Sequence, residues 1–304
     1  MTTDNRQSII KIGTRGSALA LAQAKSIADV ISAGLGLETE LAVIKTQGDR
    51  VTDRPLRELE GRGYFTKEIE EALLNEQIDI AVHSFKDVPS LMPEGLMLAA
   101  VTEREDPSDL LIVNADADVD ADGSIPLKKG ATIGTSAVRR SVQLLALRPD
   151  LTIKDLRGNV PTRLQKLKEE KYDAIMLASA GINRLGVDLS SFRTVKFEPN
   201  RFIPSPGQGA LAVQMRECDK RIDDLNELLN HEPTALATSL EREVMELFGG
   251  GCGLPLGVYA RMVNDIWEMY GFWGGDVDNP VWANVKGEFA EELPEKLYRK
   301  LKNS

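Results

Sequence analysis

Over its first two thirds the chain alternates short apolar, β-branched runs with stretches whose apolar residues recur every three or four positions. Residues 9–12, 41–45, 78–82 and 96–101 read as strands. Helices are expected over 18–33, capped by Ser17, and over 65–75, where Ile69, Ala72 and Leu73 make one apolar stripe. A charged, proline-containing passage at 103–108 reads as a crossing between units. The alternation then resumes with strands at 110–113, 132–135, 151–156 and 174–177. One helix is expected up to about 148 and another with Pro161 in its first turn. Residues 202–208 read as a second crossover strand and 210–215 as a return to a sheet. From 223 the order changes to helices at 223–230 and 233–248, followed by strand-like runs at 258–262, 266–273 and 281–285. Alternation predicts α/β sheets, and helices followed by clustered strands predict a separate, smaller α+β domain.

The ends of the strands carry the polar chemistry. The run Ile78-Asp-Ile-Ala-Val-His-Ser-Phe-Lys-Asp-Val-Pro89 places His83, Ser84, Lys86 and Asp87 just past a strand's carboxyl end, where ligands of open α/β sheets bind. Alone, Asp87 reads first as a solvated loop acid. Gly13-Thr-Arg-Gly-Ser17 turns from strand to helix, offering backbone N–H groups and Arg15 to an anion, although it is neither a GxGxxG nor a P-loop. Arg139, Arg140, Arg157, Arg163 and Arg184 fall near other strand-to-helix switches. Together with Arg15 they predict a ligand bearing several carboxylates or phosphates.

Composition narrows the classes. The 304 residues carry 37 Lys and Arg against 47 Asp and Glu, for a net charge of −10, which argues against general nucleic-acid binding. With 42% apolar residues, no long apolar run and no basic-then-apolar leader pattern, a soluble cytoplasmic protein without a membrane partner is expected. Asp118-Val-Asp-Ala-Asp-Gly123 copies the start of a calcium loop, but Lys129 stands where the twelfth, bidentate acid belongs, so no metal is expected. The two cysteines, Cys218 and Cys252, make no disulfide framework. Cys252 follows three glycines, which fits an inert residue in a glycine-rich helix cap, a thiol with clearance for a bulky substituent, or half of a Cys–His pair. Patterning leaves those three open.

Six segments taken together carry a resemblance. Gly-Thr-Arg-Gly-Ser17, Val-His-Ser-Phe-Lys-Asp87, Gly-Thr-Ser-Ala-Val-Arg-Arg140, Leu-Arg-Gly-Asn-Val160, Pro-Gly-Gln-Gly209 and Gly-Gly-Cys252 resemble, in order over nearly the whole chain, the hydroxymethylbilane synthase (porphobilinogen deaminase) family. That resemblance implies two α/β domains like those of periplasmic binding proteins plus a smaller C-terminal α+β domain. The boundaries expected are 1–104 with 205–222, 105–204, and 223–304. It implies a monomeric transferase that grows a polypyrrole chain from porphobilinogen on a dipyrromethane cofactor joined to Cys252 through a thioether. Asp87 is then the catalytic acid. Lys86, Arg139, Arg140, Ser84, Thr135 and Ser136 are implied at the cofactor. Arg15, Ser17, Arg157, Arg163, Arg184, Arg62 and Gln208 are implied at the substrate. The chain departs from the family at Arg62, where lysine is frequent, at Glu58, where bacterial members commonly carry lysine, and at Ala137, which replaces a hydroxyl residue.

Overall fold

The structure, a computed structural model, describes residues 9–50, 64–117, 125–251 and 253–303, with the side chains of 49, 50 and 222 excepted. The described chain groups into two compact units, one of 9–50, 64–104 and 210–235, the other of 105–117, 125–209, 236–251 and 253–303.

The first unit is built on a five-stranded sheet of β1 (Ile10–Thr14), β2 (Thr39–Val43), β3 (Ile80–Ser84), β4 (Leu96–Val101) and β10 (Leu211–Arg216), in the order β2-β1-β3-β10-β4. Strand β1 runs parallel to β2 and β3, whereas β10 is antiparallel to β3 and β4. Among the described residues three helices precede β3: α1 (Ala18–Leu35), the single turn α2 (Gln47–Arg50) and α3 (Lys67–Leu74). Alternate residues of β3 face opposite sides of this sheet. Ile80 and Val82 pack with Ile27, Ala28 and Ile31 of α1, while Ala81 packs with Ile69, Ala72 and Leu73 of α3. Each such isoleucine contributes roughly 1.5–3 kcal/mol by leaving water. Helix α1 has the length and apolar composition of a membrane span, but its buried face is part of this core. Ser17 caps it as expected, accepting from Ala20 N at 3.2 Å.

The second unit contains two sheets. One holds β5 (Asp109–Val113), β6 (Thr132–Gly134), β7 (Thr152–Lys154), β8 (Ala174–Ala178) and β9 (Arg193–Lys196) in the order β7-β6-β8-β5-β9. Its helices are α4 (Val138–Leu147), α5 (Val160–Lys168) and α6 (Ser179–Leu185). Here β5 is the antiparallel member, lying between β8 and β9 just as β10 lies between β3 and β4. Both sheets therefore share one strand order, with the antiparallel strand next to the edge. The other sheet is the antiparallel meander β11 (Leu256–Val263), β12 (Ile266–Trp273) and β13 (Val281–Gly287), covered by α8 (Glu232–Leu247) and α9 (Leu293–Lys302). The class is thus α/β with a smaller C-terminal α+β region.

One expectation gives way, and two elements lie where the pattern predicts none. Residues 202–208 form turns rather than a strand, because Pro204 and Pro206 have no N–H for a ladder and Gly207 and Gly209 take φ of 72° and 97°. Strand β9 and helix α9 were not anticipated. The β9 residues Arg-Thr-Val-Lys196 are mostly polar and exposed, as befits an edge strand. Helix α9 buries only Leu293, Pro294, Leu297 and Leu301 amid charged residues. Helix α7 (Ile222–Leu229), expected at the start of the last domain, contributes Leu225 and Leu229 to the core under α1.

Candidate active site

Strand β3 ends at Ser84 and runs directly into a single 3-10 turn, Phe85–Asp87. The turn is fixed by its apolar members. Phe85 and Val88 are buried with Val101, Ala210 and Ala212, and Phe85 N donates to Ala210 O at 3.0 Å. Asp87, between them in sequence, is half-buried and faces a pocket lined also by Arg15, Ser17, Phe65, His83 and Ser84. No hydrogen bond or ion pair engages its carboxylate among the described residues. The Arg15 guanidinium lies over the Phe65 ring, 4.1 Å from its centroid, so an aromatic face holds the cation in place. Lys86 belongs to the same turn but not to the pocket wall.

Both faces of β3 are fastened where it meets this turn. Ser84 exchanges hydrogen bonds with the Gln23 amide of α1, at 3.0 and 3.2 Å. His83, on the opposite face, meets Gln214 Oε1 of β10 at 3.2 Å. Burial pushes the His83 imidazole down to about 4 from its ordinary 6.5, with the Gln214 bond resisting and the charge of Arg15 adding to the fall. An unfolded chain regains the ordinary value. Between pH 6.5 and 4 the unfolded state therefore binds the extra proton, and stability falls with pH by roughly 3 kcal/mol across that window. Glu70, raised by burial, works in the opposite sense. Denaturation free energies measured across this range should lose most of their slope in His83→Gln, and an unchanged slope would assign the proton elsewhere.

The second unit gathers the other candidates around a residue that sequence reasoning missed. Asp109, fully buried at the start of β5, accepts from Arg139 Nη1 at 2.7 Å, from Arg140 Nε at 3.0 Å and Nη2 at 2.6 Å, and from Gln208 Nε2 at 3.0 Å. Burial would push its carboxyl up, but the two guanidiniums overcome that and hold it far below the carboxylate range. Arg139 and Arg140 are themselves 5% and 6% exposed, and Arg139 also donates to Ile203 O and Arg140 to Met176 O. The expected open forks are therefore closed on an internal acid, with one positive charge in surplus. Gln208, expected at the substrate, is buried and spends its amide on Asp109 and Pro107 O. One signal was available for Asp109: an acid opening a wholly apolar strand, Leu110–Val113, must be paired if that strand is buried.

The remaining candidates sit at loop ends of the same unit. Thr135 Oγ1 accepts from Ala137 N, and Ser136 exchanges bonds with the backbone of Leu156, so both hydroxyls shape the turn before α4. Arg163 donates to Gly158 O at 2.7 Å, on the loop that also carries Arg157. Arg184 donates to Gly209 O at 2.7 Å. Cys252, Arg62 and Glu58 lie outside the described residues, as does the acidic loop at 118–124.

These features define an α/β protein that offers a carboxylate uncommitted among the described residues, in a pocket shared with the Arg15 guanidinium, and further arginines at the loop ends of another sheet. The chain belongs to the porphobilinogen deaminase family. Residues 10–224 match the family described as "Porphobilinogen deaminase, dipyromethane cofactor binding domain". A porphobilinogen deaminase of Campylobacter hominis is 45% identical over 84% of this chain and 82% of its own length. A probable porphobilinogen deaminase of Methanocaldococcus jannaschii is 43% identical over 97% of this chain and all of its own. That of Nitratidesulfovibrio vulgaris reaches 48% over 84% and 79%. Among solved structures, an ancestral cationic amino acid solute binding protein superposes with a TM-score of 0.46 at 13% identity, over 77% of this chain and 94% of that one.

Proposed function

We infer that this chain is a transferase that joins four porphobilinogens in line on a dipyrromethane primer, releasing one ammonia per addition. It then hydrolyses off the linear tetrapyrrole hydroxymethylbilane. Family membership supports the reaction, and the observation that carries the site is the uncommitted Asp87 carboxylate facing the pocket shared with Arg15 and Ser17.

The donor set suits such a primer. A pyrrole presents an N–H in its ring plane and an acetate and a propionate on its edge; Asp87 matches the first, and Arg15 with the N-terminus of α1 matches the second. When bound, the dipyrromethane supplies the nucleophilic ring carbon. Asp87 stabilises the cationic azafulvene left as the C–N bond of porphobilinogen breaks and ammonia departs with the bonding electrons. As the new C–C bond forms, Asp87 accepts the proton that the nucleophilic ring carbon gives up, and returns it to solvent. Ser84 and Lys86 lie beside this acid, and we assign them to the primer's carboxylates.

We assign the thioether to Cys252, and the surplus charge at Arg139 and Arg140 supports a place for primer carboxylates near that pair, with Thr135 and Ser136 shaping the adjoining turn. Each addition brings two more carboxylates. Arg157, Arg163, Arg184 and Arg62 are assigned to them, while Gln208 serves by supporting Asp109. The α/β regions 1–104 with 205–222 and 105–204 carry acid and arginines in this assignment, and 223–304 carries the cysteine. A cytoplasmic monomer completes it.

Intact-mass measurement tests the assignment. Protein from a porphobilinogen-producing host should be heavier than its sequence by one dipyrrole, and Cys252→Ala should weigh what its sequence predicts. An unmodified wild-type chain, or no ammonia released from porphobilinogen, would overturn it.

A further inference from the structure

The pocket rests on a buried polar chain that the mechanism above does not use. Glu70 of α3 is 6% exposed, Gln214 of β10 is 0% exposed and His83 of β3 is 5% exposed. Gln214 Nε2 donates to Glu70 Oε1 at 3.3 Å, and its Oε1 meets His83 Nε2 at 3.2 Å. Strand register explains the reach. Gln214 pairs with Ala81, placing it diagonally across from His83 on the face packed by α3.

The chain has a direction. A carboxylate accepts hydrogen bonds and cannot donate, so Glu70 fixes the amide nitrogen of Gln214 toward itself and the amide oxygen toward His83. The imidazole must then carry a proton on Nε2, and in the neutral ring the lone pair falls on Nδ1. We propose that Glu70 and Gln214 are positioning residues that lock His83 in the Nε2–H tautomer, so that the ring beside the Asp87 pocket commits its N–H to Gln214 and keeps its lone pair on Nδ1. The benefit lies in the reaction: a ring whose N–H is committed to Gln214 presents no second N–H dipole to oppose the positive charge that develops when ammonia leaves. Neutrality itself comes from burial, which holds His83 uncharged down to about pH 4 against the pull of the Gln214 bond, and the lock decides which nitrogen carries the one proton. Any consequence for turnover rests on the function inferred above, whereas the lock itself is a property of the folded chain.

The chain has only two histidines, so imidazole nitrogens are readily resolved. Long-range proton–nitrogen correlation spectra of the 15N-labelled holoprotein at pH 7, assigned with His231→Gln, should show His83 neutral and protonated on Nε2 alone. In Glu70→Gln the amide direction is no longer imposed; the signals should shift toward a tautomer mixture, and kcat should drop about tenfold with KM nearly unchanged. Gln214→Leu should give the same pair of changes, and Glu70→Gln keeps the test open if that variant does not fold. A charged or Nδ1-protonated His83 in the wild type would overturn the proposal. So would wild-type tautomer and kcat in Glu70→Gln. Absence of porphobilinogen turnover with the Nε2–H signature intact would instead remove the inferred function and leave the lock standing.

Discussion

Asp87→Asn should lower turnover of porphobilinogen by about a hundredfold or more while leaving the fold intact. The size follows from what is removed: a fixed carboxylate aimed at developing positive charge, a contribution of ~10²–10³ for a single preorganised group, with proton transfer adding to it. The fold should survive because the carboxylate carries no structural bond among the described residues; Phe85 and Val88 hold the turn instead. Asparagine keeps the shape and loses the charge, so the loss should fall on kcat more than on KM. Ammonia release and circular dichroism on the same preparation check it. Turnover within a few-fold of wild type would end the assignment of Asp87 as the reacting acid.

The strand end that presents this acid was readable because its signals are local. An apolar β-branched run stops at a polar turn, and Pro89 bars its continuation. Ser17 as the cap of α1 was readable for the same reason. What patterning did not reveal is long-range pairing. Strands β5 and β10 are apolar runs like any other, and nothing in Leu110–Val113 or Ala210–Met215 says which neighbours each will take or in which direction. The common strand order of the two five-stranded sheets appears only once those pairings are known. Strand β9 and helix α9 escaped because an edge strand and a helix with one narrow apolar stripe bury too little to show a clear period.

The site was legible in kind and less so in role. Clustering of arginine at strand-to-helix switches pointed to an anionic ligand, and adjacency could not say that Arg139 and Arg140 share an internal counter-ion. Likewise His83 was conspicuous, but the Gln214 and Glu70 that hold it come from 131 and 13 residues away, on elements whose contact with β3 depends on register. Buried amides such as Gln23 and Gln214 leave no sequence signature, since glutamine is ordinary on any helix or strand surface.

Asp109→Asn should destabilise the second unit by about 3–5 kcal/mol, the usual loss when one partner of a buried ion pair is removed. Its two guanidiniums would remain 5% and 6% exposed with no charge to face, and an amide can accept on only one of its two heads. Arg139→Leu should cost much less. It leaves Asp109 with the Arg140 fork, through Nε at 3.0 Å and Nη2 at 2.6 Å, and it removes the surplus positive charge rather than exposing one. The asymmetry separates two accounts of the pair. If the arginines served ligand carboxylates alone, with Asp109 incidental, Asp109→Asn would be the milder change and Arg139→Leu the one that matters. Denaturation of the primer-free Cys252→Ala protein, carrying each substitution in turn, isolates the internal term. Equal losses for the two, or a smaller loss for Asp109→Asn, would mean that the clamp does not hold the unit together.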